Sequence, residues 1–124
     1  MKPKFGEHFL CEEFSCPCCG VCLMDRDFMI ALNRLRALAG RPIWVNSGFR
    51  CFNHNYSIGG APNSQHMAGR AADIVIVGLT LNEMVELAEQ VEPFRNGGIG
   101  IYPKKGFIHL DSRGRRARWK NRKR

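Results

Sequence analysis

An α+β fold with a small, largely antiparallel sheet and flanking helices is what this sequence predicts, on three observations. Two segments, near 28–39 and 81–88, space their apolar residues at helical intervals. Four short β-rich runs, at 43–45, 72–77, 99–102 and 107–111, are bounded by turn-forming residues. Their order is helix, strand, long loop, strand, helix, hairpin, which suits a mixed α+β layer arrangement. At 124 residues the chain is most simply one domain with a real core.

The first two dozen residues read as irregular, with Phe5, Phe9 and Phe14 as anchors and the cysteine-rich "CPCCGVC" at 16–22. Asp25 is placed to cap a helix whose inner face is Phe28, Ala31, Leu32, Leu35, Leu38 and Ala39, with Gly40 as its stop. Pro42 leads into the strand Ile43-Trp44-Val45, which ends at the turn-like Ser47-Gly48. A loop then runs from Phe49 to about Ala71. Loops this long inside a compact domain are functional or disordered, and Arg50, His54, Ser64 and His66 in this one favour function. Ala72 to Val77 reads as a buried strand. Thr80 and Glu83 form a capping box for a second helix, with Leu81, Met84, Val85 and Ala88 facing inward. Ile99–Tyr102 and Phe107–Asp111 form a hairpin across the turn Pro103-Lys104-Lys105-Gly106.

Charge is distributed unevenly. The formal net charge is +8, yet residues 113–124, "RGRRARWKNRKR", hold eight of the 19 Lys and Arg and no acid, leaving a body of 11 basic and 11 acidic residues. The expected organisation is therefore a domain over 1–112, with the Cys-rich segment 1–24 packed on it, and a basic C-terminal tail over 113–124. The tail is either a solvated terminus or an electrostatic grip on a polyanion such as an anionic envelope polymer or nucleic acid. The N-terminus lacks the apolar stretch of a signal peptide and no window approaches a membrane span, so synthesis in the cytoplasm without a signal peptide is expected.

Four separated pieces carry the chemistry: Ser47-Gly48-Phe49-Arg50, Ser64-x-His66, Asp73, and His109-x-Asp111. Asp73 stands at the mouth of an apolar strand, where a carboxylate is costly unless something pairs with it. A cation would relieve that cost, and a hydrolytic zinc site takes three protein ligands with one position open. His66, Asp73 and His109 could supply them, while pairing of Asp73 with Arg50 or Arg70 is the plain alternative. In a strand His109 and Asp111 face the same side, so one could bind metal and the other handle protons.

Ser64-x-His66-x-x-Gly69-x-Ala71-x-Asp73 resembles the signature of the zinc D-alanyl-D-alanine carboxypeptidase family, peptidoglycan metallopeptidases that share a zinc-site fold with the hedgehog domain and the lysostaphin-type peptidases. "SGFRCFNHN" is similar to the family's Ser-Gly-Tyr-Arg segment, with Phe49 for tyrosine, and "GGIGIYPKKGFIHLDSRG" to the closing hairpin of its small phage-associated and bacterial branch. The likeness covers roughly residues 9 to 119 in the expected order.

The resemblance implies one catalytic Zn²⁺ held by His66, Asp73 and His109, in a hedgehog/DD-peptidase-like fold. Arg50 would bind a substrate carboxylate or the oxygen that turns negative, and Ser64 would bind substrate or brace the loop. The implied activity is hydrolysis of an amide bond in peptidoglycan stem peptides or cross-bridges, as a D,D-carboxypeptidase or endopeptidase. The implied setting is a phage or prophage lysis enzyme acting at the cell wall or periplasm after release. Many relatives carry an acid or histidine base shortly before the last ligand, whereas Lys104 to Ile108 offer none here. Asp111 is therefore assigned as base, or as the partner orienting His109; the swapped reading makes Asp111 the ligand and His109 the base. A catalytically silent zinc module and a basic nucleic-acid-binding protein are the rival readings, the second less favoured.

Cys16, Cys18, Cys19 and Cys22 crowd one short segment, with Cys11 upstream and Cys51 directly after Arg50. That cluster alone is too compact for the usual two-pair zinc site, though Cys11 or Cys51 could complete one. Reduced structural thiols are favoured over disulfides, and a second structural ion is not favoured.

Overall fold

The computed structural model describes the backbone of residues 4–6 and 8–121 and the side chains of 8–121, so the Phe5 anchor lies outside the described side chains. In chain order the elements are β1 (Lys4–Phe5), β2 (Phe9–Leu10), a 3-10 turn (Cys11–Phe14), α1 (Arg26–Ala39), β3 (Ile43–Ser47), α2 (Phe52–Ser57), a second 3-10 turn (Gln65–Ala68), β4 (Ala71–Ile76), α3 (Leu81–Ala88), α4 (Glu92–Arg95), β5 (Gly98–Tyr102), β6 (Phe107–Asp111) and β7 (Ala117–Lys120). β1 and β2 form a small ribbon; the other five strands make one sheet in the order β3-β4-β6-β5-β7. Three of its pairings are antiparallel and the last, β5 with β7, is parallel. This is the α+β class the sequence predicts.

Local chemistry sets the helix ends. The Asp25 carboxylate accepts from the Phe28 N–H and Gly40 closes α1 in the left-handed region, satisfying groups a helix end leaves orphaned. Thr80 and Glu83 form the reciprocal capping box of α3. Phe28, Met29, Ala31, Leu32 and Leu35 of α1 are buried. Leu38 is not: it stands at the edge of the inward stripe and is exposed, while Met29, at the opposite edge, is taken into the core.

The core lies on one face of the sheet. Ala72, Ile74 and Ile76 of β4, Ile108 and Leu110 of β6 and Ile99 of β5 meet α1, Met84 and Ala88 of α3, and Phe94 of α4 in a single apolar cluster. Because side chains alternate across a strand, the intervening residues of β4 and β6, Asp73, His109 and Asp111, project from the opposite face. That face is covered by the loop between β3 and β4, which is not structureless: it contains α2 and the second 3-10 turn.

The segment expected to be a separate basic tail is built into the sheet as far as it is described. Residues 117–120 form β7, and Arg116 and Arg118 bind the Glu89 carboxylate. Arg118 also donates to the Gly97 and Arg95 carbonyl oxygens. β7 thus pairs into the sheet beyond the 112/113 boundary expected from the sequence. The sequence reading missed it because arginine hides strand signals: its apolar stem and five donors let it pack and pair at once.

Candidate metal centre

One rung runs across the whole sheet: Ser47 pairs with Asp73, Asp73 with His109, His109 with Gly100, and Gly100 with Trp119. The register shifts between Val45 and Ser47. Such an irregularity re-aims side chains, and here Ser47 Oγ accepts from Arg50 Nε at 3.3 Å. Gly100 is the one residue in the rung without a side chain. A Cβ there would collide with the indole of Trp119, so glycine is what lets the Trp119 ring lean over to His109, 5.1 Å between centroids.

His66 reaches this rung from the 3-10 turn. Ser64 caps the turn, accepting from the His66 N–H at 3.2 Å, and Gly69 ends it at φ +70°, where a side chain would meet the Leu23 carbonyl. The two sides of the sheet row and the turn converge. His66 Nε2 lies 3.3 Å from Asp73 Oδ1, and His109 Nδ1 lies 3.0 Å from the same oxygen. The ligand atoms of His66, Asp73 and His109 all fall within 4.8 Å of one another, and all three residues are buried.

The far side of each imidazole is also held. His66 Nδ1 is 2.7 Å from the Gly48 carbonyl oxygen, which can only accept, so Nδ1 carries the proton and Nε2 is turned to Asp73. His109 Nε2 is 2.7 Å from Asp111 Oδ2, so its Nδ1 is the inward atom. Both histidines thus present a ring nitrogen to one point beside a carboxylate oxygen, with the tautomer set from behind, the arrangement of metal-binding histidines. The donor set of two imidazoles and one carboxylate fits zinc.

Electrostatics in the described protein agree with a place for positive charge. Burial alone would raise the Asp73 carboxyl, but hydrogen bonds and charge from His109 and His66 hold it well below the usual carboxylate range. Burial works against a charged His109, yet Asp111 and Asp73 hold its pKa above the ordinary histidine value. Arg50 Nη2 reaches Asp73 Oδ2 at 3.4 Å and its Nη1 reaches Asn55 Oδ1 at 3.3 Å. The pairing of Asp73 with Arg50 read as the plain alternative is thus present, on the oxygen that the histidines do not share.

Asp111 is completely buried. Its Oδ1 accepts from Gly98 N, Arg113 N and Arg113 Nε, and its Oδ2 from Arg113 Nη2 and His109 Nε2. Burial would raise its pKa, but His109 and Arg113 hold it well below the usual range.

The centre opens into a cavity of about 630 Å³. Arg50, Ser64, His66, Asp73 and His109 line it, as do Tyr102, Lys105, Arg113, Arg115 and Trp119; Asp111 does not. Trp119 Nε1 donates to the Tyr102 hydroxyl at 3.1 Å, and the Arg113 guanidinium lies 5.3 Å above the Trp119 ring. His54 is not among the lining residues, whereas Asn55 is buried behind Arg50. The sequence reading placed Asn55 near Arg50 but missed Arg113, the Gly48 carbonyl and the full part of Trp119. A tryptophan inside a run of arginines was the available signal.

A model of the peptidase M15 family matches residues 7–111. The chain belongs to the peptidase M15 family. This M15 chain is 34% identical over 96 residues to the peptidoglycan L,D-endopeptidase MepK of Escherichia coli (strain K12), covering 72% of this chain and 51% of that protein. It is 38% identical over 80 residues to the probable peptidoglycan L,D-endopeptidase MepK of Haemophilus influenzae, covering 60% and 41%. Over 38 residues it is 53% identical to the zinc D-Ala-D-Ala carboxypeptidase of Streptomyces albus G, covering 31% and 15%. The M15 chain spans about half the length of the MepK proteins it matches. No helix among its described residues is long and apolar enough to cross a membrane.

Proposed function

We propose that this M15 chain is a zinc-dependent peptidase that hydrolyses an amide bond in bacterial peptidoglycan, in a stem peptide or a cross-bridge. The observation that carries the reading is the convergence of His66 Nε2, Asp73 Oδ1 and His109 Nδ1 on the floor of a cavity rimmed by Arg50, Lys105, Arg113 and Arg115. The names of its relatives supply the polymer. Stem peptides carry free carboxylates, and a cationic rim attracts and orients them. The site of action is the cell wall.

His66, Asp73 and His109 hold the ion, which, when bound, supplies a Lewis acid and an activated water at neutral pH. The chain's own groups do the rest. Gly48 and Asp111 set the protons of the two imidazoles. Arg50 is anchored on Ser47 and Asn55 at the cavity edge and offers positive charge to a substrate carboxylate or to the amide oxygen as it turns negative. An indole N–H only donates, so Tyr102 accepts from Trp119 and keeps its phenolic proton for a partner in the cavity. Ser64 braces the turn through the His66 N–H. Asp111 acts as the partner that orients His109, since its oxygens are enclosed by Gly98, Arg113 and His109; with His109 Nδ1 at the common point, Asp111 is not the third ligand.

One observation favours a second reading, a zinc module without turnover: Asp73 is the only carboxylate among the described residues lining the cavity. The deciding experiment is a mass-spectrometric digest of purified peptidoglycan with zinc-loaded wild type beside Asp73→Ala. New fragments from the wild type alone establish the peptidase, and their masses name the bond. Intact walls of several chemotypes, with stoichiometric zinc on the wild type, move the assignment to the silent module.

A further inference from the structure

The fold brings Cys51 to the cysteines of the N-terminal segment. Cys16 Sγ lies 3.6 Å from Cys51 Sγ. The sulfurs of Cys16, Cys19 and Cys51 all lie within 4.8 Å of one another. The neighbouring Cys51 thiol holds that of Cys18 above its ordinary value, with Cys16 and Cys19 adding to the effect. Three sulfurs thus gather at one point, with Cys18 next to Cys19 in the chain, and two of the three come from the Cys16-x-x-Cys19 spacing common in structural zinc sites. A tetrahedral ion with metal–sulfur bonds of about 2.3 Å sets its sulfurs about 3.8 Å apart, close to the separation of Cys16 and Cys51.

Backbone N–H groups point at two of these sulfurs. Cys16 Sγ accepts from the Cys51 N–H at 3.4 Å, and Cys51 Sγ from the His54 N–H at 3.4 Å. Gly20, at φ +75°, closes the loop by donating to the Cys16 carbonyl at 2.8 Å. Burial pushes the Cys16 thiol up, but the N–H groups of Cys51, Cys19 and Cys18 outweigh it and bring it down to about 7. Thiolate is the form that binds metal. Cys22, by contrast, is pushed by burial up to about 12 and faces Cys11 instead. A single disulfide would join two of the four sulfurs and leave the other two without a role.

We propose that Cys16, Cys18, Cys19 and Cys51 hold a second, structural zinc ion as a tetrathiolate. The ion would staple the N-terminal segment to the strand end that builds the metal centre. That seam is already drawn by the Phe49 N–H on the Phe14 carbonyl at 2.9 Å and by Gly48, where a Cβ would strike the Phe14 backbone. Gly48 and Arg50 sit on the same short stretch, so the staple fixes the carbonyl behind His66 and the guanidinium beside Asp73. The sequence offered Cys11 or Cys51 to complete such a site without favouring the ion; the fold brings in Cys51 and leaves Cys11 with Cys22.

Cobalt substitution of the full chain, prepared under reducing conditions, tests the proposal. The His66, Asp73 and His109 centre contains no sulfur, so a thiolate-to-cobalt charge-transfer band in the near ultraviolet can arise only at the cysteines. The expected result is two metal ions per wild-type chain, with the band present and retained in Asp73→Ala, which keeps one ion. Cys18 and Cys19 are exposed, so Cys18→Ser and Cys19→Ser spare the core and should each weaken or abolish the band. Thiol titration should find Cys16, Cys18, Cys19 and Cys51 masked until a chelator is added. A cobalt-loaded wild type without the band overturns the proposal. So does a band unchanged in both serine variants, or a Cys16–Cys51 disulfide in the purified chain.

Discussion

His109 Nε2 and Asp111 Oδ2 lie 2.7 Å apart, and Asp111 is clasped on its other side by two nitrogens of Arg113. The pair fixes which imidazole nitrogen faces Asp73. A base and an orienting partner make different predictions for the same substitution. Asp111→Asn should weaken zinc binding by ~10–100-fold, the range seen when a partner behind a metal-bound histidine is altered, as read by competition with a chromophoric chelator. A base would instead leave zinc in place and lower turnover by ~10²–10⁴.

Asp73→Ala should lose the ion of the His66 centre and all peptidase activity. Metal analysis of the folded variant beside its digest products checks both at once. Full zinc at that centre would remove Asp73 from the ligand set.

Arg50→Ala should fold and keep its zinc while kcat/KM falls by ~10²-fold or more, the scale on which donors to developing negative charge operate. Arg50→Lys should recover little of this, because the guanidinium binds Ser47 and Asn55 with separate nitrogens and an ammonium lacks that fork. Kinetics identical to wild type would exclude Arg50.

Gly100→Ala should keep the strand but displace the Trp119 ring from its place beside His109. Tryptophan fluorescence, with Trp44→Phe as background, should report the shift, and peptidase activity should drop. Deleting residues 113–124 should go further and destabilise the domain, because β7 and the Arg113 clasp leave with them. A purely solvated tail would change neither the melting temperature nor activity.

Glu89 gives a pH signature. The hydrogen bonds of Arg118, then those of Arg116, hold its carboxyl below the ordinary value. Its folded pKa is thus below the unfolded ~4.3, so this contribution to stability is present above that pH and is lost as pH falls through the lower folded value. The Tm difference between wild type and Glu89→Gln should be constant from neutral pH to about 5 and shrink below about 4. A difference that grows on acidification would contradict the sign.

Much of the fold was legible because it is written in local chemistry. Asp25, Gly40, Thr80 and Glu83 mark helix ends by hydrogen-bonding groups within a few residues, and the alternation in 107–111 separates core from site. His66, Asp73 and His109 were legible through spacing and resemblance. What stayed hidden depends on residues distant in sequence. Cys51 meets Cys16 only after β3 docks on the N-terminal segment. Trp119 meets His109 only because Gly100 lies between them in the sheet. The carbonyl of Gly48 has no sequence signature at all.

The placement of β7 at the end of the sheet has a consequence for solubility. An outermost strand offers unpaired backbone groups to any other chain, and natural sheets blunt that hazard with charge. Here that margin is written Ala117-Arg118-Trp119-Lys120, within the run that carries the molecule's positive excess. Like charge on two such margins opposes the addition of one copy to another strand by strand. Neutralising these residues for the sake of a tidier expression product would therefore invite the aggregation it was meant to prevent.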